Sequence, residues 1–266
     1  MKTLRPHPET AHWYTREGVP CHYLPNKSRG GERPTTLRDA KKLDLVPSVT
    51  TIMRGGLPKP YGLELWDKRQ LLEHALTTER REGETDAEYV QRIQDDYEAA
   101  KAAPADLGTR VHACIADTLR GEYTPGVYTD QELLIADRAI TWLEVNFPHA
   151  IVQHVEHTVV HREYAYAGTI DVVLRDGRIP ILIDWKTQEP KGGEVKVRDD
   201  WVRQLAAYSA AYDSVYNTQC VNVILPTDGS ETSTRDWSLR EVVNGWDVFL
   251  AARRVYYALN WPERLP

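Results

Sequence analysis

Several things are scarce in this chain, and each scarcity removes a class of protein. There are 3 cysteines in 266 residues, Cys21, Cys114 and Cys220, far apart and with no C-x-x-C spacing. That argues against a disulfide framework, against a zinc or iron–sulfur site, and for a reducing compartment, with the cytoplasm the expected location. No run of about 18 apolar residues is present, so no membrane-spanning helix is expected. The opening M-K-T-L-R-P-H-P has no apolar core of the kind a secretory leader needs. No internal repeat or low-complexity tract appears. An excess of positive charge is missing too: the formal net charge is −6. Any polyanionic partner must be met by a local basic groove or by cations that offset carboxylates. What remains, with 41% hydrophobic and 27% charged residues, is ordinary globular composition, enough for one large domain with a helical annex.

The stretch Gly168–Thr187, G-T-I-D-V-V-L-R-D-G-R-I-P-I-L-I-D-W-K-T, is the densest in information. Asp176-Gly177 between β-branched runs predicts a hairpin, because a tight primed turn needs positive φ. With that dipeptide at the turn, Arg175 faces Arg178 and Asp171 lies opposite Leu182. Asp184 then falls on the face of Asp171, as its diagonal neighbour, about 7–8 Å away at the backbone. Lys186 follows on that face by the period of two. Two carboxylates so placed can share one cation.

The rest of the chain reads in order. Residues 12–24 predict a small hairpin turning at Glu17-Gly18, followed by a polar loop over 25–38. Ser48 or Thr50 caps a short helix ending at Gly55-Gly56. A helix over 61–75 carries Leu65, Trp66, Leu71 and Leu72. Residues 77–103 suit a solvated helix or helix pair with Tyr89, Ile93 and Tyr97. A cleaner helix spans 104–120, with Leu107, Val111, Ile115 and Leu119 at helical spacing. On it, Gly108 leaves room beside the His112 imidazole. Another helix covers 129–146. A strand over 151–161 precedes the hairpin, and a polar loop with Gly192-Gly193 follows it. A helix over 200–216 buries Trp201, Leu205, Tyr208, Tyr212 and Val215, with Gln204 and Tyr208 paired at i, i+4. A short strand over 221–225 and a helix over 240–260 complete the chain. The expected class is α/β, in the order helix, three strands, helix, strand, with helical additions at both ends.

Five features now stand in a fixed order: His112 in G-T-R-V-H, Glu156 in H-V-E-H, Gly168-x-x-Asp171, Asp184-x-Lys186, and Gln204-x3-Tyr208. Together they resemble the RecB-like branch of the PD-(D/E)xK nuclease superfamily. V-T-T-I-M, L-P-K-P and Trp66 upstream are similar to its phage-type exonucleases. The resemblance runs from about Ser48 to Leu225. It implies a restriction-endonuclease-like core, αβββαβ with a central mixed sheet flanked by helices. It also implies a single nuclease domain over 1–266: an N-terminal hairpin and helical annex (1–103), a catalytic core (104–226) and a C-terminal helix (227–266).

The resemblance implies roles as well. Asp171, Asp184, the Trp185 main-chain carbonyl and His112 are the expected ligands of Mg²⁺ or Mn²⁺. Such an ion lowers the pKa of bound water and neutralises phosphate oxygens. Lys186 is expected to hold the attacking water or offset charge at phosphorus. Gln204 and Tyr208 are expected to position Lys186, a phosphate or the DNA strand, and Glu156 to take a second metal through water. Helicase-associated relatives often carry a four-cysteine iron–sulfur cluster; this chain lacks it, and lacks a P-loop for ATP-driven unwinding.

Plainer readings stand beside these. Asp171 and Asp184 also read as surface residues with Lys186 as a cross-strand salt bridge, but Ile181, Leu182 and Ile183 read as a doubly buried strand, where charges are rarely left without a role. His112 alone reads as a satisfied core histidine. Gln204 and Tyr208 also fit a packed helix face. His154, His157 and His161 invite a zinc reading, but alternation turns His154 away from the other two. Arg54, Lys59, Tyr61, Trp66, Lys68 and Arg69 mix cations with aromatics as single-strand binders do; Lys191, Lys196, Arg198 and Arg203 form a second basic group.

The expected function is metal-dependent exonuclease action at DNA ends, in recombination, repair or phage DNA metabolism. A structure-specific endonuclease and a non-catalytic DNA-binding relative are the alternatives. DNA is the expected partner, single-stranded or as duplex ends, with a single-strand annealing or replication protein as a further one. The expected setting is the cytoplasm of a bacterial or phage-infected cell.

Overall fold

The computed structural model describes residues 11–26, 30–59, 61–177, 179–190 and 193–264, without the side chains of 63 and 101–106. Arg178, Lys191 and Gly192 of the predictions above, and the N-terminal octapeptide, lie outside them. In chain order the elements are β1 (Trp13–Tyr14), β2 (Tyr23–Pro25), β3 (Glu32–Pro34), α1 (Leu37–Lys42), β4 (Val46–Pro47), α2 (Val49–Gly56), α3 (Tyr61–Thr77), α4 (Asp86–Arg120) and α5 (Asp130–Asn146). Then follow β5 (Ile151–His161), β6 (Tyr166–Asp176), β7 (Ile179–Gln188), α6 (Trp201–Tyr212), β8 (Gln219–Pro226), β9 (Ser233–Trp237) and α7 (Leu239–Asn260).

The helix starts are written locally. Thr36, Thr85, Thr129 and Ser238 each accept from the N3 backbone while an acidic N3 side chain returns to the cap. These are capping boxes that satisfy otherwise orphaned N–H groups. The end of α4 is equally local: Gly121 takes φ 72, the left-handed conformation glycine adopts without penalty.

The central sheet has the order β5-β6-β7-β8-β9. All its pairs are antiparallel except β7 with β8, which is parallel. A parallel pair needs a crossover, and α6 supplies it. Both faces are covered. Val111 and Ile115 of α4 and Ile135 and Trp142 of α5 pack with Val172, Ile183, Trp185 and Val223. On the other face, Ile52 of α2, Leu205 of α6 and Phe249 of α7 pack with Ile170, Val173 and Leu182. A strand buried on both sides reads as a continuous apolar run, and I-L-I of β7 does.

The αβββαβ order with its mixed sheet is the expected one; the differences lie at its borders. One helix, α4, covers both the solvated segment and the cleaner helix, running through the 103/104 boundary. Segment 25–38 pairs β2 with β3 and opens α1, so it is not a plain loop. The predicted 12–24 hairpin keeps its turn, with Thr15 N donating to Val19 O, but β1 takes β4 as its partner strand. The strand β9 was not predicted; its sequence S-T-R-D-W shows neither alternation nor an apolar run. The helix α6 stops at Tyr212, leaving Val215 buried beyond it. On α3, Leu65, Trp66 and Leu72 remain exposed at 54%, 43% and 64%.

The hairpin register also differs from the prediction. Asp176 pairs with Ile179 and Val173 with Leu182, so Asp176 is the last strand residue rather than the first of the turn, and Gly177 follows it at φ 69. Moving a two-residue turn by one position shifts every rung by two. Leu182 therefore faces Val173, and Asp171 comes opposite Asp184 one rung past the last pair, Val172 with Ile183.

Candidate metal centre and active site

The site lies where β6 and β7 part. The ladder between them ends at Val172 and Ile183. Beyond it, Oδ2 of Asp171 accepts the main-chain N–H of Trp185 at 2.8 Å, so a carboxylate occupies the place of the next strand bond. In extended backbone a residue's carbonyl points the same way as its own N–H. The Trp185 carbonyl therefore faces this gap, while its side chain is buried in the core.

Alternation fails at this rung. Ile170 packs toward α6 and Val172 toward α4, although they are two apart on one strand. Across on β5, Glu156 holds φ 52, a conformation rare for a non-glycine residue. Asp171 accordingly meets His112 of α4, whose Nδ1 lies 3.5 Å from Oδ2. One ligand atom each from His112, Glu156 and Asp171 lie within 4.8 Å of one another. The same break corrects a second expectation. His154 and His157 are stacked at 4.1 Å on one face, because the irregular residue between them cancels the alternation. His161 stands apart, beside Tyr164 and Trp246.

Asp184 and Lys186 alternate with Leu182 toward the α6 layer. Nζ of Lys186 lies 2.7 Å from Oδ2 of Asp184 and donates to Oε1 of Gln204 at 3.1 Å. Nε2 of Gln204 donates to the Tyr208 hydroxyl at 2.9 Å. Gln204 and Tyr208 are thus tied to Lys186 through side-chain hydrogen bonds. The carboxylate of Asp184 sits outside the three-residue cluster.

Two glycines make the approach of helices possible. A Cβ on Gly168 would stand 2.3 Å from the Tyr208 ring, and one on Gly108 would stand 2.7 Å from Oγ1 of Thr187. The bare Cα of Gly108 thus accommodates strand β7 rather than the imidazole of His112.

Burial governs the charges. It pushes Glu156 up to about 7, with Asp171 adding to the rise. It also raises Asp184, against the pull of Lys186. Asp171 is buried too, yet the nearby His112, Lys186 and the Trp185 N–H outweigh that and hold it low. Burial disfavours the charged imidazole of His112, but Asp171 outweighs it and raises the group. A half-buried cluster of carboxyls crowded against an imidazole is one whose ionisation a divalent cation would favour. Oxygen donors with one imidazole suit Mg²⁺ or Mn²⁺. The donor set fits the implied metal.

Sequence reasoning missed Asn222. It is fully buried on β8, donates to Asp184 Oδ2 at 2.6 Å, and accepts from Nε1 of Trp237 at 2.7 Å. A lone asparagine inside V-N-V-I-L was the available signal, since a buried amide needs partners. Arg120 was also missed; Nη2 donates to the Val155 carbonyl at 3.0 Å, beside Glu156. By contrast, Lys59, Lys68 and Arg69 are ion-paired to Asp67, Glu64 and Glu73, which offsets their charge as a DNA-binding group.

A mixed sheet with one parallel crossover pair, covered by helices on both faces and parting at a cluster of two carboxylates and an imidazole, defines the class as α/β. The chain belongs to the PD-(D/E)XK nuclease superfamily, whose family model matches residues 86–225. It is 27% identical over 224 residues to mitochondrial genome maintenance exonuclease 1 of Xenopus tropicalis. That alignment covers 79% of this chain and 57% of the relative, so the chain spans little more than half its length. A solved structure, that of SSO0001, aligns with 78% of this chain and 98% of that one, at 15% identity and a TM-score of 0.32. Among the described residues, no helix is long and apolar enough to cross a membrane.

Proposed function

We propose that the protein is a divalent-metal-dependent exonuclease that hydrolyses phosphodiester bonds at DNA ends, acting as one nuclease domain over residues 1–266. The observation that carries this reading is the convergence of His112, Glu156 and Asp171 within 4.8 Å, beside the Asp184–Lys186–Gln204–Tyr208 chain. His112, Asp171, Glu156 and the Trp185 carbonyl would hold the ion, Mg²⁺ or Mn²⁺, with Asp184 joining once Lys186 releases it. The bound ion would supply an acidified water and charge relief at the phosphate.

The side chains supply the rest. Lys186, held between Asp184 and Gln204, would offset the charge that develops on the phosphate oxygens. Gln204 takes one of its three donors and so orients the ammonium. Tyr208 braces Gln204 from the next turn of α6. Burial excludes bulk water around Asp184 and strengthens these interactions.

Exonuclease rather than endonuclease action is supported by the name of the Xenopus relative. A role in recombination, repair or phage DNA metabolism, alongside a single-strand annealing or replication protein, is proposed on the resemblance of V-T-T-I-M, L-P-K-P and Trp66 to phage-type exonucleases. Three free cysteines, Cys21, Cys114 and Cys220, support a reducing compartment; a cytoplasmic setting in a bacterial or phage-infected cell rests on the resemblance to phage-type exonucleases.

Labelled linear single-stranded and duplex oligonucleotides, and a closed circular single strand, test the reading with Mg²⁺ or Mn²⁺. Linear substrates should be degraded and the circle spared, with activity lost in Asp171→Ala and Lys186→Ala. Cutting of the circle would establish endonuclease action, and inert linear DNA under both metals would defeat catalysis altogether.

A further inference from the structure

The segment matched to the superfamily begins at residue 86, yet a side chain from far upstream bonds to the strand that carries Asp171. Tyr14, on β1, is 4% exposed. Its ring packs with Val46 and Ala167, against Val160 and Ala165. It therefore lies across the β5–β6 pair. Its hydroxyl is 3.2 Å from Oγ1 of Thr169. Thr169 pairs with Thr158. Thr169 stands two residues before Asp171, and Thr158 two after Glu156, so the bond is made one rung away on that face.

The rung it adjoins is the irregular one. Glu156 holds φ 52 there, and alternation on β6 breaks at Asp171. Such backbone persists only where its surroundings over-determine it. Two contacts flank it: Arg120 to the Val155 carbonyl on one side and Tyr14 to Thr169 on the other.

Tyr14 is itself braced. His22 meets it edge-on at 4.9 Å and stacks on His12 at 4.5 Å. Nδ1 of His22 accepts the Trp13 N–H at 3.2 Å, tying this brace to β1.

We propose that Tyr14 is a positioning residue for the metal centre, holding the Glu156–Asp171 rung in register through Thr169. The N-terminal hairpin thus completes a site whose ligands all lie within the matched segment. The inference rests on the metal reading above. Tyr14 is too buried to contact substrate; it acts through the strands that carry the ligands.

The test is Mn²⁺ titration of the full chain by calorimetry, with urea unfolding of the same samples. Tyr14→Phe keeps the ring and removes the hydroxyl. It should weaken Mn²⁺ binding roughly tenfold, the scale of lost outer-sphere partners, with an unchanged unfolding midpoint. Thr169→Val should do the same, and the double variant should be no weaker than either, as expected for one shared bond. Wild-type affinity in Tyr14→Phe, or losses that add in the double variant, would overturn the proposal. So would a fall in affinity matched by a fall in the midpoint of both single variants. If the wild type binds no Mn²⁺, or Asp171→Ala binds it undiminished, the metal reading itself fails first.

Discussion

Asn222 donates from Nδ2 to Oδ2 of Asp184 at 2.6 Å, in a strand core fully closed to solvent. Trp237 of the edge strand β9 donates in turn to Oδ1 of Asn222. The amide is thereby fixed in one orientation, and it fixes the carboxylate that Lys186 meets from the other side. Replacing Asn222 by Leu removes a donor to a buried carboxylate and an acceptor for a buried indole. The expected cost is about 2–4 kcal/mol of stability, read by urea unfolding, with nuclease activity falling at least tenfold. Wild-type stability would show that Asp184 does not depend on this bond.

Gly168 and Gly108 should respond differently to alanine. At Gly168 the added methyl would stand 2.3 Å from a ring that is packed and hydrogen-bonded, so Tyr208 must move away from Gln204. A loss of about 1–3 kcal/mol is expected, with reduced kcat. At Gly108 the methyl meets a rotatable hydroxyl, Oγ1 of Thr187. There the helix-propensity gain of about 1 kcal/mol offsets the contact. Paired thermal melts of the two variants decide it; equal losses would contradict the packing argument.

His22 should make stability depend on pH. Burial lowers its pKa to about 4, assisted by neighbouring His12, and its Nδ1 accepts a main-chain N–H that only the neutral ring can take. The folded pKa lies below the unfolded value of about 6.5. The contribution is therefore fully present above pH 6.5 and is lost as pH falls toward 4, because the unfolded chain takes up the proton first. About 1–2 kcal/mol should disappear over that interval, allowing for the water that reaches the ring. Denaturant unfolding of wild type and His22→Phe at several pH values measures it; parallel curves would refute the assignment.

Metal should stabilise the fold. An ion that binds only the folded chain adds about 2.7 kcal/mol at 100 times its Kd. Mn²⁺ should raise the melting temperature of wild type, EDTA should reverse the rise, and Asp171→Asn should show none. A rise that persists in Asp171→Asn would place the ion elsewhere.

The sequence by itself determined the elements and the order of the chemistry-bearing residues. Caps such as Thr85 with Glu88, the glycine-containing turn after Asp176, and the apolar run of β7 act within a few residues, so they are written locally. His112, Asp171, Asp184, Lys186, Gln204 and Tyr208 were legible because their types and spacing are rare in a strand-rich core. The tertiary structure alone decided how they meet. The positive φ of Glu156, the break in alternation at Asp171 and the two-residue shift of the hairpin register each depend on contacts made across the sheet. That is why Asp171 turns to His112 while Asp184 turns to Lys186 and Asn222. The reach of Tyr14 to Thr169 joins residues 155 apart in the chain, and no local pattern encodes a contact at that distance.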